Sequence, residues 1–232
     1  MNSQWISIPT SDNAEFSGYL SLPPTGSGPG IVLIQEIWGV NHHIRTVADQ
    51  FALSGYVVLA PDVFWRLAPR VDLNYDEAGN AKAFEYYGKV DKNRAVHDVA
   101  DAAAALRKHS AVKGKVALVG YCLGGLLAYR AGATGAADAV VSFYGGGIDQ
   151  HLDVAGKLTQ PTLFHHGNDD DHITPDKVNA IKHAFAGKNN ASFFDYAGVG
   201  HAFNSWGRPA AYNQHASALA HGRTLTFLAE HL

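Results

Sequence analysis

The stretch Lys115 to Tyr129, KVALVGYCLGGLLAY, constrains this chain more than any other. Val116 to Val119 is a short apolar run that reads as a buried strand. Gly120-Tyr121-Cys122-Leu123-Gly124 follows, and a helical run opens at Leu123. Strand, sharp turn and helix in that order form the context of a nucleophile elbow, G-x-S-x-G, with cysteine in place of serine. The glycines answer to the tightness of the turn: residues two before and two after the nucleophile approach other backbone too closely for a side chain. Cys122 also falls at a helix N-terminus, where partial positive charge and free N–H groups favour a thiolate. A buried, inert cysteine would fit the same letters. The decision rests on partners elsewhere in the chain.

Around this stretch the pattern alternates strand and helix. Trp5–Pro9 and Phe16–Leu22 read as a hairpin turning through Ser11-Asp12-Asn13. Residues 23–30, rich in Pro and Gly, read as a loop before the continuously apolar strand Ile31–Ile34. Ile44, Val47, Ala48 and Phe51 mark a helix that stops before Gly55, and Tyr56–Ala60 is a second buried strand ended by Pro61-Asp62. Residues 63–90 carry a weaker signal of mixed aromatics and charges. They are expected to form an excursion with one helix near Ala81–Tyr87, a candidate lid. A helix over about Lys92–Lys108 precedes the elbow. Beyond it, strands are expected at Asp138–Tyr144, Pro161–His166 and Ala191–Tyr196. Helices are expected from Thr174-Pro175-Asp176 onward and over about Ala211–Leu232. This order predicts a single α/β domain over residues 1–232, its sheet mostly parallel with helices on both faces after an antiparallel N-terminal hairpin.

Composition excludes several classes. A net charge of −3 with no Lys/Arg run gives no electrostatic case for nucleic acid or an anionic membrane. No apolar run approaches the roughly 20 residues that span a bilayer, and the N-terminus does not read as a secretory signal. The single cysteine excludes an internal disulfide. A reducing, cytoplasmic setting is expected, with a monomer acting on a small molecule.

In open α/β sheets ligands gather outside the carboxyl ends of the strands. Four such ends carry reactive groups here: Glu36, Cys122, the acidic run 169–171 and His201. Nucleophile, acid and histidine stand in the chain order of the α/β-hydrolase triad. A thiol gains nucleophilicity from a histidine held by a carboxylate. Spacing alone does not separate Asp169, Asp170 and Asp171. His165, His166 and His172 beside these acids raise a zinc reading, but adjacent strand residues point to opposite faces, and no metal is expected.

The chain resembles the dienelactone hydrolase family of α/β-hydrolases along nearly its whole length. The marks are Gln35-Glu36-Ile37-Trp38-Gly39-Val40-Asn41, Ala60-Pro61-Asp62, Gly120-Tyr121-Cys122-Leu123-Gly124-Gly125, Phe143-Tyr144-Gly145, Asp171-His172 and Gly200-His201-Ala202-Phe203. The resemblance implies lactone or ester hydrolysis through a thioester, with a Cys122–His201–Asp171 triad and no cofactor. Asp171 is preferred because the family's acid immediately precedes a histidine. The resemblance also implies that Glu36 bonds to the resting thiol and helps deprotonate it when substrate arrives. A carboxylate there would repel a thiolate and keep the free thiol largely neutral. The oxyanion hole is expected from the backbone N–H groups of Leu123 and Ile37.

One departure bears on the substrate. Family members acting on dienelactone hold its carboxylate with arginines, one in the region after the Pro-Asp strand end and one shortly after the histidine. Residues 76–82 contain no arginine, and Arg208 stands displaced from His201. Arg66, Arg70 and Lys82 are substitutes from the excursion. Trp38, Tyr86, Tyr87 and Trp206 suit an aromatic-lined pocket. A non-enzymatic binding module and an acyl-transferase with the same triad are the alternative readings.

Overall fold

The computed structural model describes residues 2–232. Its centre is one eight-stranded sheet of β1 (Asn2–Pro9), β2 (Glu15–Leu22), β3 (Gly28–Ile34), β4 (Val57–Pro61), β5 (Val112–Tyr121), β6 (Ala139–Phe143), β7 (Thr162–Gly167) and β8 (Ala191–Tyr196). The spatial order is β1-β2-β4-β3-β5-β6-β7-β8. The β1–β2 and β2–β4 pairs are antiparallel and every other pair is parallel, as the hairpin-then-alternation pattern predicts.

Six α-helices connect and cover the sheet: α1 (His42–Leu53), α2 (Glu77–Lys89), α3 (Lys92–Lys108), α4 (Leu123–Gly132), α5 (Pro175–Ala184) and α6 (Gln214–His231). Successive strand residues serve opposite layers. Ile31, Leu33, Ala117 and Val119 pack with α1 and α6 residues such as Ile44, Phe51, Ala220 and Phe227. Val32, Ile34, Val116 and Leu118 pack with Val99, Leu106 and Leu127 of α3 and α4. Burial on both faces explains why these strands are uninterrupted apolar runs.

Three elements extend beyond the sequence expectation. β3 begins at Gly28, inside the expected loop, and its register against β5 shifts between Gly28 and Gly30. Pro29 sits at this irregularity, where a missing N–H costs the ladder least. β5 begins at Val112, because its exposed first residues carry no hydrophobic signal while still pairing with Gly28. The helix of the excursion, α2, is longer than expected, starting from an Asp76 cap whose side chain accepts the Gly79 N–H.

Topology places the site. β3 lies between β4 and β5, so the connections leaving β3 and β5 depart to opposite sides and open a crevice at their carboxyl ends. The register sets Ile34 beside Gly120, Tyr121 beside Phe143, and Phe143 beside His165. Glu36, Cys122 and Tyr144 therefore leave neighbouring strands at one rim. The excursion is tied to that rim: the Leu73 N–H donates to the Trp38 carbonyl (3.0 Å), and the Trp38 indole N–H donates to Asn80 Oδ1 (2.9 Å).

Candidate active site

Cys122 occupies the turn between β5 and α4 with φ 54° and ψ −114°, a left-handed φ that an L-residue adopts only under constraint. Two contacts impose it. A Cβ on Gly120 would collide with the Gly124 carbonyl, and one on Gly124 would meet the Ile34 and Gln35 carbonyls. The Cys122 N–H is secured by donating to the Phe143 carbonyl at 3.0 Å. The thiol is left partly exposed at the N-terminus of α4.

His201, in the connection after β8, receives its orientation from an aspartate. Its Nδ1 lies 2.8 Å from Oδ2 of Asp170, whose side chain is only 1% exposed. This corrects the expectation of Asp171. Asp170 Oδ1 accepts the backbone N–H groups of His172 (2.8 Å) and Ile173 (2.9 Å), an Asx-type turn that folds the carboxylate inward. The next residue then points outward. Asp171 is 86% exposed, its Oδ1 lying 3.7 Å from Nε2 of the likewise exposed His172. Burial tends to raise the Asp170 pKa, but the His201 bond and the two backbone donors hold it below the ordinary carboxylate range.

His201 shows the reciprocal effect. Burial opposes its charge, yet the neighbouring Cys122 and the Asp170 carboxylate outweigh burial and push it up to about 10. With Nδ1 turned to Asp170, Nε2 is the nitrogen left for chemistry. The ring is held edge-to-face by Tyr144 (5.1 Å) and His172 (5.0 Å).

Glu36 is buried beside this pair. Burial raises its pKa, while the Arg208 charge and His201 pull it back down. Its Oε2 accepts a long bond from Ser205 Oγ (3.4 Å), and its Oε1 has no partner among the described residues. The implied bond to the thiol is not formed in this arrangement. A thiol is a weak donor, and the hydroxyl and guanidinium on the other side serve a buried carboxylate better.

A cleft of about 390 Å³ opens onto the pair, within the range of small-molecule sites. Cys122, His201, Ile37, Trp38, Tyr87 and Arg208 are among its lining. The Ile37 and Leu123 amides donate to no backbone acceptor. Arg208 reaches the cleft despite its displacement, with its guanidinium 4.7 Å from the Trp38 ring centre. The other suggested cations do not reach it. Arg70 lies over Trp5 (4.9 Å) with its N–H on Asp62, because the segment 62–70 turns back onto the hairpin. Arg66 is committed to Asp98 and Asp12, and Lys82 to Glu85. Tyr86 packs on Phe64, and Trp206 packs on His43 behind the cleft. Both ring nitrogens of His165 face hydroxyls, Tyr196 (2.9 Å) and Thr224 (3.0 Å), and no group of potential metal ligands gathers among the described residues.

A strained cysteine at a strand–helix turn thus shares one cleft with a histidine that an aspartate orients. The model of the dienelactone hydrolase family matches residues 16–232. The chain belongs to that family. It is 32% identical over 230 residues to carboxymethylenebutenolidase 1 of Cupriavidus pinatubonensis, covering 99% of this chain and 97% of that one. It is 33% identical over 229 residues to a Pseudomonas carboxymethylenebutenolidase, covering 98% and 95%. Among solved structures, a dienelactone hydrolase-like promiscuous phosphotriesterase from metagenomic libraries superposes with a TM-score of 0.79 at 26% identity, covering 98% of each chain. This family member is a dienelactone hydrolase-like enzyme of the carboxylic ester hydrolase class.

Sequence reasoning passed over several residues of the site. Asp170 was one of three adjacent acids, and only the turn that folds it inward distinguishes it. Ser205 and the Tyr75 ring beside Glu36 have no motif of their own. Lys92 and Lys177, which also line the cleft, sit in the first turns of α3 and α5. A cation in the first helical turn opposes the helix dipole, and that conflict was a legible signal.

Proposed function

We propose that the chain cleaves a lactone or ester bond by nucleophilic catalysis, with Cys122 as nucleophile, His201 as base and acid, and Asp170 as orienting carboxylate. The observation that carries this reading is the Asp170–His201 bond beside the strained Cys122 in one cleft. Asp170 accepts from Nδ1–H, so Nε2 is free to take the Sγ proton. The thiolate attacks the substrate carbonyl carbon, and the carbonyl π electrons move onto oxygen. The amides of Leu123 and Ile37 face that oxyanion, each donor being typically worth about 3 kcal/mol in the transition state. Collapse expels the alkoxide, which takes the proton from His201 Nε2 and leaves a thioester. In a lactone the alcohol stays attached to the acyl chain. Water, deprotonated by His201, then attacks the thioester and the sulfur departs as thiolate.

Glu36 restrains the nucleophile in its ionised form by charge repulsion. Burial favours the protonated form, so the restraint weakens as pH falls. Arg208 over Trp38 holds an anionic substituent of the substrate. The chain acts as one domain and as a cytoplasmic monomer, with residues 63–90 forming a wall of the cleft through Phe84 and Tyr87. No helix among the described residues is long and apolar enough to cross a membrane.

The test is hydrolysis of dienelactone and of phenyl acetate by the protein and by Cys122→Ala, with intact-mass detection of an acyl adduct. Turnover is expected to vanish in the variant. Turnover that survives in Cys122→Ala would overturn the mechanism.

A further inference from the structure

The cleft is lined by Arg208, Lys92 and Lys177 and by no aspartate or glutamate. Seven other cations of the fold, Arg45, Arg66, Lys82, Lys89, Arg94, Arg107 and Lys182, each meet a carboxylate. Lys92 meets none. Its ammonium lies 4.4 Å from the ring centre of Tyr87, which also lines the cleft, and donates a long bond to the Tyr87 carbonyl (3.3 Å). Tyr87 in turn lines the same cleft as Cys122.

Apart from these Tyr87 contacts, the local influences on Lys92 are adverse. It is the first residue of α3, where the helix dipole repels a cation. Burial and the nearby Arg130 guanidinium pull its ammonium below the ordinary lysine range. The adjacent Asp91 is spent on capping, accepting the Asn93 and Arg94 N–H groups and facing Arg94. A residue that breaks local rules without a counter-charge in the fold is expected where function uses it. Among the described residues no carboxylate pairs with Lys92, and its side chain lines the cleft.

We propose that Lys92 is a second anion anchor, so that the preferred substrate is a dianion with one acidic group at Arg208 and another at Lys92. Arg208 comes from the connection after β8 and Lys92 from the start of α3, so the two cations converge on the cleft from separate elements. Arg208 also feels the buried Glu36, whereas Lys92 and Lys177 bring their charge to the lining without a paired carboxylate, which favours an anionic ligand there. Lys177, which donates to the His172 carbonyl (2.9 Å), adds a more exposed charge of the same sign. This inference rests on the hydrolytic reading of the same cleft.

Four aryl esters separate the terms: phenyl acetate, 4-acetoxybenzoate, phenyl hemisuccinate and the hemisuccinate of 4-hydroxybenzoate, which carries a carboxylate on each side of the scissile bond. The dianion is expected to show the highest kcat/KM. Lys92→Met keeps the apolar stem and removes the charge. It should lower the ratio of dianion to neutral ester by about tenfold, mainly through KM, as expected for loss of a charge-assisted contact. Lys92→Arg should restore most of that ratio, which a packing role would not require. Calorimetry of the dianion with Cys122→Ala reads the anchor without turnover. Adding Lys92→Met should weaken binding by a similar factor. A ratio and an affinity both insensitive to Lys92→Met would overturn the inference while hydrolysis by the parent protein stood. Failure of all four esters would count against the hydrolytic reading, and the calorimetric comparison would still decide the anchor.

Discussion

Replacing Asp170 and Asp171 separately by asparagine tests the site at the point where sequence and structure disagree. Asp170 Oδ1 accepts two backbone N–H groups, at 2.8 and 2.9 Å. In Asp170→Asn the amide oxygen is the only atom that can keep those bonds, so the NH₂ group is turned toward His201 Nδ1. It donates there, Nδ1 becomes an acceptor, and the ring proton moves to Nε2. A histidine in that tautomer cannot take the Cys122 proton. The imidazolium formed on attack also loses a buried counter-charge. Breaking a buried charge pair costs about 3–5 kcal/mol, which corresponds to roughly 10²- to 10⁴-fold in rate. Asp171→Asn removes a charge that is 86% exposed, and its effect should stay within about twofold. The assay is kcat/KM for phenyl acetate at pH 7.5, with circular dichroism to confirm folding. Large loss in Asp171→Asn with little in Asp170→Asn would refute the geometry.

Two further outcomes follow from the neighbouring residues. Glu36→Gln removes the repulsion on the thiolate, so alkylation of Cys122 by iodoacetamide should be several-fold faster than in the parent at pH 8. Burial raises the Glu36 pKa, so the parent loses its own repulsion as pH falls through that raised value, and the difference should narrow as the alkylation pH is lowered from 8. Equal rates at every pH would remove Glu36 from the control of the thiol. Gly124→Ala places a Cβ against the backbone carbonyls of Ile34 and Gln35, which cannot rotate away. A loss of at least about 1–3 kcal/mol is expected, the usual cost of overpacking. A urea midpoint equal to that of the parent would show that the elbow is looser than these contacts imply.

The sheet was legible because its central strands are buried on both faces. Ile31–Ile34, Tyr56–Ala60 and Val116–Val119 announce themselves as apolar runs, and the helices between them follow a 3.6-residue period. What stayed hidden lacks that contrast. The first residues of β5 are exposed and paired only through backbone, and Gly28–Gly30 enters β3 with composition typical of a loop. The excursion was legible as an element over the site but not in its path. Aromatic and charged residues are intermixed there, and only tertiary contacts send Tyr87 to the cleft and Arg66 and Arg70 to the hairpin side.

The site divides in the same way. Cys122 and His201 are fixed by short-range necessity, since a nucleophile elbow needs glycines at fixed offsets and a base must follow at a later strand end. Asp170 is fixed by a side chain turning back onto its own backbone two and three residues on, a choice that three consecutive aspartates leave open. The cationic lining is further from the sequence still, because charge balance is a property of the folded surface. Arg208, Lys92 and Lys177 are spread over half the chain and acquire common meaning only when they line one cleft. Mechanism is therefore written in local motifs, whereas the charge of the substrate is written in what the fold leaves unpaired.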